Sequence, residues 1–398
     1  MAHSMKICYF TPIFPPYYSG ATKQAITLAH EMMKDGHNIF FLALTDDYHK
    51  RNRRLQYDGF DVYFIYIEEY RRIIEGTCSQ LAYIKVILKI FNFLLYQRSK
   101  YDIIHIHTFA YPFSFISICG KVLKKKSIVK VTMSNEIEFE RIGRISSKLI
   151  RYSIKYIDKI IAISSEIANI LCESNIPKSK IVYIPNSVDT HKFKPIPENE
   201  KNLKKSKLLL KDKILVTFIG GITFRKGINK IIDEWYKVIE VLPNCYLLLI
   251  GPRFKEEGVI GDDFCLKDVK QTIKLYNMEN NIECTGPVNI VEEYLKISDL
   301  FIFPSFLEGM PNVVLEAMSC GVPVVSYHVS GINDILRDGK EGIIIEQGRV
   351  SDFINAVIDL LQNKSLRKLY SESSYNRIRD LFSINMISKQ YNEIYYNI

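Results

Sequence analysis

No uncharged, predominantly apolar run in this sequence reaches the roughly 20 residues that a helix needs to cross a bilayer, which excludes a helical channel or carrier. The eight cysteines form no C-x-x-C pair and no zinc spacing, so a disulfide scaffold is excluded and reduced thiols in a cytosol are expected. No segment repeats, and a hydrophobic content of 47% excludes a disordered chain. A signal peptide is also missing, since Lys6 to Phe14 runs straight into Pro15 and Pro16; Met1 to Ser4, ahead of a second methionine at Met5, read as a foreign leader. Acidic residues are short in one half only. Residues 1–190 hold 26 Lys+Arg against 17 Asp+Glu, whereas 191–398 hold 27 of each, so the formal excess of +9 belongs to the first half. That asymmetry calls for an anionic partner there, either a membrane surface or nucleic acid.

What is present suits two α/β domains, each large enough to bury its own core. Lys6 to Phe10 reads as a strand, Ala21 to Lys34 as a helix with apolar residues at Ala25, Leu28, Ala29, Met32 and Met33, and Asn38 to Leu44 as the next strand. This βαβ order opens a doubly wound parallel sheet, and Gly20 at its first strand-to-helix turn lets backbone approach a phosphate or merely shapes the turn. A strand over Asp102 to His107 carries His105 and His107 on one face, and His107 falls at its carboxyl end, where such sheets bind ligands. A further strand, Ile128 to Thr132, leads into Ser134, Asn135 and Glu136. Arg144, Lys148, Arg151 and Lys155 form one basic stripe on a helix, and Leu81 to Tyr96 is an apolar helix with Lys85 and Lys89 one turn apart. Either helix fits an anionic leaflet or an ordinary solvent-facing layer; neither has the stacking and bidentate arrangement of a nucleic-acid module.

Lys192 to Lys213 is polar and lysine-rich and reads as a linker. A buried strand, Ile214 to Ile219, follows, then Gly220, Gly221, Arg225 and Lys226 in a turn, then a helix through Ile231, Trp235 and Val238. The basic pair either neutralises a leaving diphosphate or is an exposed turn with ordinary charges. Residues 300–303 form a short apolar strand stopped by Pro304 and Ser305, and a helix is expected from Pro311 to Met318. Backbone amides at Gly309, Met310, Pro311's successor Asn312 and Val313 would stand at that helix's amino end, where anions are favoured. Glu308 and Glu316 lie eight positions apart, and as a bare pair they read most simply as a solvated face.

The run E-G-M-P-N-V-V-L-E-A-M-S-C-G-V-P-V-V from Glu308 resembles the E-x7-E signature of retaining glycosyltransferases of the GT-B fold, family 4 type. The resemblance extends over nearly the whole chain from Lys6 and is strongest from Ile282 to Leu336. It implies two Rossmann-like domains, 5–190 and 214–379, joined by 191–213, with a helix in 380–398 crossing back to the first. It also implies that Glu308 lies beside the donor sugar, that Glu316 holds the nucleotide ribose, and that Gly309, Met310, Pro311, Asn312 and Val313 line the diphosphate with Gly20 and Gly221. Lys226 and Arg225 would stabilise the departing phosphate, with His107 at the cleft. The chain departs from the family in having Ser19-Gly20 for Gly-Gly, Gly221 for an arginine, and Ser134 for a histidine; Ser134, Asn135 and Glu136 are therefore expected on the acceptor side. No D-x-D pair sits in a suitable loop, Asp262 and Asp263 being adjacent, so no metal or other cofactor is expected. The implied partners are a nucleotide-sugar donor, preferably UDP-linked, and a glycan or lipid-linked acceptor at the inner face of the cytoplasmic membrane.

Overall fold

Apolar periodicity and turn chemistry produce the expected alternation of strand and helix. Ser19 caps the first helix, Gly20–Lys34, by accepting from the amide of Thr22, and Ala25, Leu28, Ala29 and Met32 are buried on one face. The computed structural model describes residues 4–17, 19–50, 53–110, 112–137, 144–253 and 265–398, with backbone alone at 144–147 and 149. Met1, Asp262, Asp263 and the side chain of Arg144 thus lie outside the described residues.

The chain divides into two units, Met1–Asn186 with Ile384–Ile398, and Ser187–Ser383. The first is built on β1 (Lys6–Thr11), β2 (Asn38–Thr45), β3 (Arg54–Tyr57), β4 (Phe60–Tyr66), β5 (Ile103–Ile106), β6 (Lys126–Val131), β7 (Lys159–Ala162) and β8 (Ile181–Tyr183). Their spatial order is β3-β4-β2-β1-β5-β6-β7-β8, parallel except for the β3–β4 pair. The order reverses between β1 and β5, which makes their carboxyl ends the topological switch point where doubly wound sheets bind ligands.

The second unit contains β9 (Ile214–Ile219), β10 (Cys245–Ile250), β11 (Ile282–Gly286), β12 (Leu300–Phe303), β13 (Val324–Tyr327) and β14 (Gly342–Ile345). Their order β11-β10-β9-β12-β13-β14 is that of a doubly wound nucleotide-binding sheet, with its switch point between β9 and β12. The helix expected through Trp235 is two short ones, Ile228–Ile232 and Tyr236–Val241, hinged at the fully buried Trp235.

The linker expected over 191–213 needs correction, because it contains a helix, Glu198–Lys207, that belongs to the second unit. Charge rather than an apolar stripe docks it: Lys201 and Lys205 reach Asp299 at 2.7 and 2.5 Å, and Lys204 reaches Glu293 at 2.5 Å. The closing helix, Ile384–Asn397, completes the first unit by burying Ile384, Ile387, Tyr391, Ile394 and Tyr395 against the Gly20–Lys34 helix and β1. A buried chain of hydrogen bonds fixes it, from the Tyr9 hydroxyl to Tyr395 at 2.8 Å and from Tyr395 to His105 Nδ1 at 2.7 Å. Among the described residues no helix is long and apolar enough to cross a membrane.

Candidate active site

Two loops meet at the switch point of the second unit. The turn after β9 carries Arg225 and Lys226, and the loop after β12 carries Ser305 and Glu308. They are locked by backbone, Phe306 N–H donating to Arg225 O at 2.9 Å, and by the left-handed Gly227 (φ +69°), where a Cβ would lie 2.1 Å from Pro304 O. Lys226 Nζ then stands 2.5 Å from Glu308 Oε1, Arg225 Nη1 at 3.3 Å and the Ser305 hydroxyl at 2.7 Å from the same oxygen. All three bonds fall on Oε1, and Oε2 takes none of them. Burial alone would raise this carboxyl; Lys226, Arg225 and Ser305 outweigh it and hold it below its ordinary value. Glu308 is therefore an ionised carboxylate with one oxygen tethered by three donors.

The helix after Glu308 spans Asn312–Ser319, one residue later than expected, and Pro311 at its cap position offers no side-chain acceptor. Its amino end retains the partial positive charge that favours an anion. The preceding loop is pressed into place by Gly331 (φ +74°), where a Cβ would come 2.5 Å from Gly309 O. Met310 and Pro311 are buried, and Asn312 and Val313 are half-buried. Glu316, on the second turn, is only 4% exposed, which removes the solvated-face reading of the glutamate pair. Gly221 lies between β9 and the Phe224–Lys226 turn, at the same end of the sheet.

The remaining expected residues belong to the first unit. Gly20 is exposed at the start of its helix, beyond the carboxyl end of β1. His107 is not the open cleft residue expected: it is 1% exposed, its ring 4.0 Å from His105 and 4.6 Å from Tyr9. Burial, then His105 and Lys130, lower its pKa and keep it neutral. Glu136 is likewise not an open acceptor-side group. It accepts from Thr132 N and Oγ1 at 2.8 and 2.7 Å, Thr108 Oγ1 at 3.1 Å and Phe109 N at 3.3 Å, which ties the ends of β5 and β6 together. Its carboxyl is raised, burial outweighing those four bonds. Ser134 is half-buried and Asn135 exposed on the same turn. Ser305, Gly227 and Gly331 escaped the sequence reading of roles, although the S-x-x-E spacing of Ser305 and Glu308 places a hydroxyl within reach of the carboxylate. Lys130, a lysine inside the apolar strand β6, was also overlooked.

A doubly wound pair of units with a basic turn, a tethered glutamate and an uncapped helix at one switch point defines a glycosyltransferase architecture. Comparison with known proteins agrees: residues 18–192 match the family Glycosyltransferase Family 4, and residues 199–377 match Glycosyl transferases group 1. The chain thus carries both glycosyltransferase domains. It is 26% identical over 304 residues to the N-acetyl-alpha-D-glucosaminyl L-malate synthase of Bacillus anthracis, covering 76% of each. It is 27% identical over 320 residues to the UDP-Gal:alpha-D-GlcNAc-diphosphoundecaprenol alpha-1,3-galactosyltransferase of Escherichia coli, covering 77% of this chain and 78% of that one. Anabaena HepE, solved in complex with UDP and glucose, superposes with a TM-score of 0.77 at 17% identity over 99% of this chain and 100% of that one, a shared fold.

Proposed function

We propose that this protein transfers a sugar from a nucleotide-linked donor to a hydroxyl of a glycan or lipid-linked acceptor, with retention at the anomeric carbon, in the assembly of a surface polysaccharide such as capsule, O-antigen or lipopolysaccharide. The carrying observation is the tethering of Glu308 Oε1 by Lys226, Arg225 and Ser305 at the mouth of β9 and β12. In the reaction, the bond between the anomeric carbon and the phosphate oxygen breaks and its electron pair leaves with the diphosphate. Lys226, Arg225 and the amino end of the Asn312–Ser319 helix meet that charge. The acceptor hydroxyl attacks on the same face, its proton passing to the departing phosphate, while the other oxygen of Glu308 holds a donor hydroxyl. The buried Glu316 takes the ribose. A UDP-sugar is favoured by the E. coli relative and by the UDP-bound neighbour; a GDP-mannose-type donor is the second reading. The basic first unit would meet an anionic membrane through Arg144, Lys148, Arg151 and Lys155. Lys148, Arg151 and Lys155 are exposed, as are Leu81, Ile84 and Leu88 on the Gln80–Tyr96 helix.

Thermal melts with UDP, GDP, ADP and their sugar conjugates test the donor, since a ligand at 100 times its Kd stabilises by about 2.7 kcal/mol. One nucleotide class should raise the melting temperature, and Glu316→Ala should remove that rise. A rise that survives the substitution removes the ribose role, and no rise with any nucleotide removes the transferase reading.

A further inference from the structure

The first unit holds a second polar cluster that sugar transfer, as set out above, leaves unused. Strands β1, β5 and β6 are parallel neighbours, with Tyr9 opposite His105 and His105 opposite Ile128. Two residues further on, Thr11, His107 and Lys130 fall on that same face at the carboxyl ends of the three strands. They are 1, 1 and 4% exposed. The closing helix covers them: the Tyr391 ring centroid is 6.0 Å from Lys130 Nζ and 5.5 Å from the centroid of His105. Among the described residues, Thr11 Oγ1, both ring nitrogens of His107, His105 Nε2 and the Tyr391 hydroxyl have no hydrogen-bond partner. Lys130 has neither ion pair nor hydrogen bond to any described residue. The nearest acid along β6, Glu136, already accepts four bonds from Thr108, Phe109 and Thr132.

Five orphaned polar atoms in one buried layer are more than a folded unit normally tolerates, and the Lys130 amine beside them, buried with no carboxylate paired to it among the described residues, gives up its proton readily. Ordered water would satisfy the neutral atoms but would supply no charge. The layer offers a lysine amine that an anion would protonate, two hydroxyls and two neutral imidazoles, and no carboxylate; an oxygen-rich anion is the group that completes it. We propose that Lys130, with Thr11, His107 and Tyr391 around it, binds a carboxylate or phosphate group carried by the acceptor. The anion site stands on this geometry alone, while its assignment to the acceptor rests on the proposed transfer reaction.

Calorimetric titration of the full chain with inorganic phosphate and with L-malate tests the site. The ionisable groups that bear on Lys130 are His105 in β5, His107 just after it, and Tyr391 from the closing helix, with Tyr395 and Tyr9 bonded in a chain beyond His105. Burial pulls the Lys130 amine down to about 7, so at pH 8 it is mostly neutral and an arriving anion draws a proton onto it. Titrations in buffers of different ionisation heat should therefore show proton uptake. Lys130→Met removes a buried amine without a hydrogen-bond partner among the described residues and should fold; it should weaken anion binding at least tenfold and abolish the uptake, with UDP affinity unchanged. Lys130→Arg should bind the anion without uptake. A preference for malate identifies a carboxylate acceptor, and a preference for phosphate a phosphorylated one. Binding of neither anion, or binding indifferent to Lys130, overturns the site. Weaker UDP binding in Lys130→Met overturns the acceptor assignment, because the amine would then serve the donor. Failure of UDP to bind the wild type, with anion binding intact, counts against the transfer reaction and not against the site.

Discussion

Glu308 commits one carboxylate oxygen to three donors of its own unit, and the shortest of those bonds comes from Lys226. The pair is largely buried, with 15 and 14% of the two side chains exposed, so its loss is not masked by solvent. Lys226→Met should lower kcat/KM by roughly 10²- to 10³-fold, the usual effect of removing a group that stabilises developing charge. Stability should fall by about 1–3 kcal/mol, because Arg225 and Ser305 remain on the carboxylate. The sign with pH follows from the depressed carboxyl. Its contribution is present above the ordinary carboxylate range and is lost as pH falls through the folded-state value, so relaxing the depression moves the acid limb of unfolding to higher pH. An acid limb identical in wild type and variant would show that Lys226 does not hold Glu308 in its charged form. At this scale the sequence exposed the residue types and their spacing. The enclosure of His107 and Glu136 where open groups were expected arises in large part from neighbours tens of positions away, Tyr9 for the one and Thr108 and Phe109 for the other, that no local pattern reports, and the burial of Glu316 is likewise a tertiary fact.

The turns that carry Lys226 and Glu308 are separate elements held in one geometry by glycines. Gly227 is left-handed and lies hard against Pro304 O; Gly339 is left-handed too (φ +70°), with nothing within 4 Å of its missing Cβ. Gly339→Ala should cost only the backbone term, about 1–2 kcal/mol. Gly227→Ala should cost at least about 2 kcal/mol more, the loop after β12 being forced off the turn after β9, and should weaken nucleotide binding. Urea melts of the two variants measure the difference, and equal losses would mean that the contact with Pro304 yields freely. Strands and amphipathic helices were legible because apolar residues recur at periods of two and 3.6. The Glu198–Lys207 helix was not. Its sequence is polar at every position but Leu203, and its partners, Asp299 and Glu293, lie some ninety residues away.

Across the whole molecule the charge divides more sharply than at the sequence midpoint. The first unit holds 27 Lys+Arg against 17 Asp+Glu, and the second 26 against 27. With each basic residue near an anionic leaflet contributing about 1 kcal/mol, this unit should bring the enzyme onto phosphatidylserine vesicles and not onto neutral ones, with binding that fades as salt is added. Replacing Lys148, Arg151 and Lys155 by Gln should weaken sedimentation with such vesicles, and replacing Leu81, Ile84 and Leu88 by Ser should abolish what remains. Sedimentation unaffected by both sets would leave these helices as plain solvent-facing surface.

The closing helix adds a consequence for synthesis. A ribosome delivers residues 187–383 as one continuous stretch before it delivers Ile384–Asn397. Until Tyr391 and Tyr395 emerge, Tyr9 and His105 have no partner from that helix, although they were translated 386 and 290 codons before Tyr395. The first unit therefore receives its last element only after the whole of the second has been made, and its unfinished face is what a chaperone would find exposed throughout translation of the second.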